Sequence, residues 1–89
     1  MEVVMAFDLT PGKRPAVIDH DVHFWLTVDG TKHHCVVTRV ALEDRFPDDA
    51  GGQISDPLTA FERGKDRILA AAAAKVGRNP ITIVTVEDL

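Results

Sequence analysis

The stretch "KHHCVV", residues 32–37, places two histidines beside the only cysteine in the chain. Imidazole nitrogens and thiolate sulfurs are zinc ligands. A nearby imidazole can also take the proton of a thiol and turn it into a nucleophile. The stretch therefore raises two chemical hypotheses, a metal site and a reactive thiol, beside the alternative that it is a strand without chemistry of its own.

The metal hypothesis is weakened by the positions of the histidines. His33 and His34 are neighbours, so on a strand their side chains point to opposite faces. His33 and Cys35 share a face, but a structural zinc ion takes about four ligands. The only other histidines are His20, at a loop edge, and His23, on the opposite face. The sequence therefore predicts no metal and no cofactor.

The thiol hypothesis depends on where Cys35 points. A reactive thiol needs access to solvent and a lowered pKa. Strand pairing places Cys35 opposite Phe24 on the predicted core face, where an unpaired cysteine usually behaves as a small hydrophobic residue. We therefore predict no catalytic residue, and a small metal- or thiol-dependent enzyme using His33 and Cys35 is the alternative.

Residues 22–37 carry the clearest structural signal, that of a β-hairpin. Apolar residues alternate with others from Val22 to Val28, Asp29-Gly30 follows, and a second extended run returns through Val37. Asp-Gly suits a two-residue type I′ turn, because both central residues have positive φ. Directly opposed residues share a face of the sheet. The predicted core face contains Val22, Phe24, Leu26, Val28, His33, Cys35 and Val37.

The second face of the hairpin carries the candidate binding residues His23, Trp25 and His34. The predicted turn places Trp25 directly opposite His34, with His23 on the same face. Two imidazoles around an indole can form a patch that binds a small ligand or a peptide. In the alternative interpretation, Trp25 packs under the segment of residues 9–21 with His34 stacked on it, since single surface aromatics are common.

Local start and stop signals define the other elements. Thr38 suits a helix N-cap, Asp56-Pro57 suits the start of a long helix, and Gly77 suits its end. Gly64 inside that helix costs about 1 kcal/mol relative to alanine, which indicates close approach to another backbone. The predicted order is a strand at 3–8, a loop at 9–21, the two hairpin strands, a helix at 39–46, a flexible acidic loop at 47–56, the long helix from 57 to 76, and a strand at 81–86.

These elements predict one α+β domain that covers residues 1–89. We expect a mainly antiparallel sheet of about four strands, in the order β-β-β-α-α-β, with one short and one long helix packed on one face. The predicted core contains Phe7, Val22, Phe24, Leu26, Cys35, Val37, Leu42, Phe46, Phe61, Ile68, Ala72, Ile83 and Val86.

Composition excludes several classes of function. The chain has 10 basic and 14 acidic residues, a net charge of −4, and its basic residues are scattered, so we expect no nucleic-acid binding. No segment approaches the ~20 apolar residues that span a bilayer. A single cysteine cannot form an intramolecular disulfide, which favours a reducing cytoplasm.

The order of features also resembles a bacterial family of small proteins known only as domain-of-unknown-function family 1488. The resemblance covers most of the chain, from about Phe7 to the C-terminus. It implies a compact α+β domain with no established activity, and no catalytic or binding residues come with it. The features that carry it are Phe24, Gly30, Cys35, Ala41-Leu42, Ala60-Phe61, Ile68 and Asp88.

We therefore expect an uncharacterised small cytoplasmic protein that acts as a non-enzymatic binding or protein-interaction module. Its partner would be a second copy of the chain, giving a homodimer, or another protein. The two-sided sheet motivates this hypothesis, because helices are predicted to cover one face and leave Trp25 and Val36 on the other.

Overall fold

The structure is a computed structural model that describes residues 7–47, 56–77 and 79–89. It confirms the α+β class, with a largely antiparallel sheet and helices. Residues 3–6 of the strand predicted at 3–8, and residues 48–55 of the acidic loop predicted at 47–56, lie outside the described residues. The described elements are β1 (Phe7–Leu9), β2 (Ala16–Ile18), β3 (Asp21–Val28), β4 (Thr31–Val37), α1 (Arg39–Arg45), α2 (Pro57–Arg63), α3 (Lys65–Lys75) and β5 (Ile81–Val84).

The predicted hairpin is present, and its register is the predicted one. Asp29 and Gly30 form the turn between β3 and β4, with φ values of 48° and 85°. Phe24 pairs with Cys35, and Trp25 pairs with His34. The turn is therefore the local feature that decides which side chains of both strands share a face.

The prediction of a loop over residues 9–21 is wrong, because the second half of this segment forms β2. Ala16–Ile18 pairs with the first half of β3, whereas β1 pairs with the second half. The turn from β2 to β3 consists of Asp19 and His20, which both have positive φ. Asp and His are among the residues that enter this region most readily, so the chain makes a tight hairpin without glycine.

The last strand, β5, pairs parallel to β4 and completes a sheet in the order β1-β3-β4-β5, with β2 on the same side of β3 as β1. It ends at Val84 rather than at the predicted Val86, and a turn of 3₁₀ helix, Val86–Asp88, follows. Its register places Thr82 beside Cys35 and Ile83 beside Val36. The buried residues of β5 are therefore Thr82 and Val84, and the prediction of Ile83 as a core residue is wrong, since 48% of Ile83 is exposed.

Two of the three helices replace the single long helix that the sequence predicts. Asp56 accepts a hydrogen bond from the backbone N–H of Leu58 and caps the start of α2 as expected. Helix α2 then ends at Arg63, and α3 begins at Lys65. The break falls at Gly64, where a Cβ atom would overlap the aromatic ring of Phe46. Gly64 does mark a close approach, but its neighbour is a side chain rather than another backbone.

The core lies between the helices and one face of the sheet. Phe24 of β3 and Phe61 of α2 are fully buried, with ring centroids 5.2 Å apart. Phe46 and Val86 pack against this core while remaining half-buried. Phe7, which the sequence places in the core, is 37% exposed because its strand lies at the sheet edge, so that prediction is wrong.

Lys75, at the end of α3, lies against the outer edge of the sheet. Its Nζ donates to the backbone oxygen of Ile83 at 2.7 Å and to Oδ2 of Asp88 at 2.8 Å. The hydrogen bond from Lys75, followed by one from the Thr85 backbone, holds the pKa of Asp88 below its usual range. An ammonium group therefore occupies one outward backbone acceptor of β5.

Candidate functional site

The side of the sheet opposite the helices carries the candidate site, and we call it the open face. Because directly paired residues share a face, the strand registers assign to it six residues at the centre of β3, β4 and β5. They form two rows across β3, β4 and β5. The first row is Trp25, His34 and Ile81, and the second is His23, Val36 and Ile83.

His23 and His34 are brought into direct contact. They are diagonal neighbours across β3 and β4, and Nδ1 of His23 lies 2.9 Å from Nε2 of His34. One nitrogen must donate and the other must accept, so at least one of the two rings is neutral while the bond is present. The ring centroids are 5.1 Å apart.

Trp25 contacts the histidine pair through His34. Its ring stacks on that of His34 with a centroid distance of 5.1 Å and an interplanar angle of 10°. Lys13 places its ammonium group 5.6 Å from the centre of the indole ring, a cation–π contact. Trp25 nevertheless remains half-exposed, so the segment of residues 9–21 covers it only in part.

Electrostatics favours the neutral form of His34. Burial lowers the pKa of its imidazole, and the charge of His23 lowers it further. Both causes penalise the imidazolium, because a positive ring would lose solvent and would lie against a second cationic ring. The two hydrogen-bonded nitrogens of the pair lie on a surface that solvent can reach in part.

The alternative site predicted from the sequence consists of His33 and Cys35. Cys35 is fully buried, and its Sγ lies 3.8 Å from the backbone oxygen of His33 rather than from its imidazole. Burial raises the pKa of the thiol from 9.0 to about 11. This change lowers the thiolate fraction at pH 8 by about a hundredfold, so the site disfavours nucleophilic chemistry.

We expect the Cys35 thiol to be protected in the native protein. At pH 8 a disulfide reagent such as Ellman's reagent should label the folded chain far more slowly than the chain in 8 M urea, because the sulfur has neither solvent contact nor thiolate character. The absorbance of the released thiol measures both rates. Equal labelling rates in the two conditions would show that the sulfur is accessible.

Two further findings concern chemistry at the described residues. Within residues 7–47, 56–77 and 79–89, no group of three or more His, Cys, Asp and Glu side chains is arranged to hold a metal ion. Over the same residues, no helix is both long enough and apolar enough to cross a bilayer.

Sequence reasoning placed His23, Trp25 and His34 on one face but missed the contact between the two imidazoles. Diagonal neighbours on paired strands lie within reach of long side chains, so the register itself carried this signal. It also missed Ile81 and Ile83, which are 42% and 48% exposed on the open face. No local signal could show that Ile81 and Ile83 point to the open face. Every residue of β5 is β-branched, and its parallel pairing with the distant strand β4 decides which of them point there.

Comparison with known proteins gives the family of the chain. The sequence model of a family described as "Protein of unknown function (DUF1488)" matches residues 17–83. Because this match spans more than half of the 89 residues, the chain belongs to that family. No curated protein and no solved structure matches the chain.

Proposed function

We propose that this protein is a non-enzymatic interaction module whose open face binds a second copy of the same chain. The observation that carries this proposal is the pattern of exposed side chains on β3, β4 and β5. Ile81 and Ile83 are 42% and 48% exposed on β5, and the partly exposed Trp25 lies two strands away on the same face. Exposed apolar residues grouped on one sheet face are typical of a surface that another molecule covers.

The pattern favours a second copy because it is complementary to itself. A twofold axis parallel to β4 brings β3 of one copy over β5 of the other. Trp25 of each copy then faces Ile81 of the other, and His23 faces Ile83, each pair occurring twice as in an isologous interface. Two sheets packed in this way lie about 10 Å apart, which is the usual spacing of a β-sandwich.

The size of the face sets the strength of the association. Three strands at about 4.8 Å and seven residues at about 3.3 Å give a patch of roughly 14 by 23 Å. This patch is smaller than the ~800 Å² that each partner buries in a standard interface. We therefore expect a weak, concentration-dependent dimer, which added salt strengthens because each copy carries a net charge of −4.

A cytoplasmic location is part of this proposal. The single thiol, Cys35, has no partner for an intramolecular disulfide, and a reducing compartment keeps it in the free form that packs in the core.

We expect the substitution Ile83→Lys to abolish the dimer without unfolding the chain. It places a solvated ammonium group in the apolar contact, where its desolvation is unfavourable. Sedimentation velocity over a concentration series up to about 1 mM measures the effect. Val40→Lys is the matched control, because Val40 is 67% exposed on α1, away from the open face, and receives the same change in charge.

Three outcomes count against the proposal. The parent chain could remain a monomer at the highest concentration, the Val40→Lys variant could dissociate as readily as the Ile83→Lys variant, or the Ile83→Lys variant could dimerise normally. Circular dichroism spectra of both variants check that the fold is retained.

A further inference from the structure

We infer that His23 and His34 form a two-imidazole site for a divalent transition-metal ion whose ligands meet at 90°, such as Ni²⁺ or Cu²⁺. The inference goes beyond the proposed dimer, because a single copy of the chain supplies both ligands. It differs from the metal hypothesis raised by "KHHCVV", which concerns His33 and Cys35 on the other face.

The separation of the two nitrogens carries the inference. Imidazole nitrogens bind these ions at about 2.0–2.1 Å, so two of them at 90° around one ion lie about 2.9 Å apart. Nδ1 of His23 and Nε2 of His34 are 2.9 Å apart. This separation belongs to the hydrogen bond between the rings, and it shows that the two nitrogens lie close enough to share one ion. A ligand set of two imidazoles completed by water suits Ni²⁺ or Cu²⁺.

Ion binding replaces the hydrogen bond between the rings. In the absence of metal, one of the two nitrogens carries the proton that the other accepts. To free both lone pairs, the donating ring moves that proton, through solvent, to its other nitrogen. Each ring stays neutral, so no net proton is released. Because the two nitrogens point at each other in the hydrogen bond, each ring must also turn to direct its lone pair at a common point.

Neighbouring side chains favour this site. Trp25 stacks on His34 and restrains the ring, so less conformational freedom is lost when the ion binds. Both histidines remain partly exposed, so water molecules can complete the coordination sphere from the solvent side. Imidazole is a preferred ligand of nickel and copper, and the ordinary order of affinities places Cu²⁺ above Ni²⁺.

Titration with NiCl₂ at pH 7.4 tests the inference. The full chain is used without a histidine affinity tag, and its concentration is kept low enough to exclude dimerisation. Equilibrium dialysis followed by elemental analysis should give one bound Ni²⁺ per chain. Fluorescence of Trp25, the only tryptophan in the chain, should fall in parallel, because its ring stacks on a ligand of a quenching ion.

Matched variants locate the ion. His23→Gln and His34→Gln should each weaken Ni²⁺ binding at least tenfold by dialysis. His33→Gln, on the other face, should bind like the parent. In the parent, substoichiometric Ni²⁺ should broaden the imidazole NMR signals of His23 and His34 before those of His20 and His33, which tests the site without any substitution.

The inference is overturned by absence of Ni²⁺ binding to the parent, by equal binding to the His23→Gln variant, or by broadening that begins at His20 or His33. The test remains informative if the dimer proposal fails, because it uses the monomer.

Discussion

The substitution Phe61→Ala is expected to lower the free energy of unfolding by about 3–5 kcal/mol, the usual cost of removing a buried phenylalanine ring. Phe61 is fully buried, and its ring packs on that of Phe24 with a centroid distance of 5.2 Å. Domains of this size are stable by roughly 5–10 kcal/mol, so this loss is a large fraction of the total. Urea denaturation followed by circular dichroism measures the change.

Phe7→Ala is the matched control for this prediction. The sequence placed both phenylalanines in the core, but Phe7 lies on the edge strand β1 and is 37% exposed. Its removal should cost clearly less than that of Phe61, because more than a third of its surface already contacts solvent in the folded protein. Equal losses in the two variants would contradict the placement of α2 against β3.

The second large effect is expected for Gly64→Ala, which should destabilise the protein by about 1–3 kcal/mol. Alanine is the better helix former by about 1 kcal/mol, so the intrinsic preference of the residues predicts stabilisation instead. The added methyl group would overlap the ring of Phe46, and this contact reverses the sign. Comparison of the urea midpoints of the variant and the parent measures the effect.

Two further variants separate the overlap from a general effect of glycine replacement. Gly77→Ala should be close to neutral, since a Cβ there meets only the backbone oxygen of Lys75 at 3.9 Å. In a chain that already carries Phe46→Ala, Gly64→Ala should lose most of its cost, because the overlapping ring is gone. Additive costs in this double-mutant cycle would mean that Phe46 and Gly64 do not interact.

The parts of the fold that the sequence predicted are those with local causes. The hairpin follows from Asp29-Gly30 and an alternating pattern, and both act over a few residues. The caps Thr38 and Asp56 likewise act on N–H groups two or three residues away. These features placed the two hairpin strands and the starts of α1 and α2 correctly.

Strand β2 was missed although its partner β3 is its neighbour in the sequence, because the turn between them, Asp19-His20, contains no glycine. The other errors arise where a distant partner decides the structure. Which residues of β5 point to each face follows from its parallel register with β4. The break at Gly64 follows from Phe46, 18 residues earlier in the chain. No window of the sequence contains both members of such a pair.

The candidate site likewise has features that the sequence predicted and features that it did not. The hairpin register was enough to place His23, Trp25 and His34 together on one face. It did not predict that the two imidazoles would bond to each other, because this contact also depends on side-chain rotamers. The isoleucines of β5 complete the apolar part of the face, and they could not be assigned to it before the position of β5 was known.

The ammonium group of Lys75 on the carbonyl of Ile83 limits how copies of this protein can assemble. A further strand added beside β5 would have to displace that group, and on the far side β2 and the described part of β1 have three residues each. Both borders of the sheet therefore resist the end-on strand addition that builds fibres. In the proposed dimer, contact through the open face would end after one pair forms, so exposed isoleucines on that face would not lead to open-ended polymerisation.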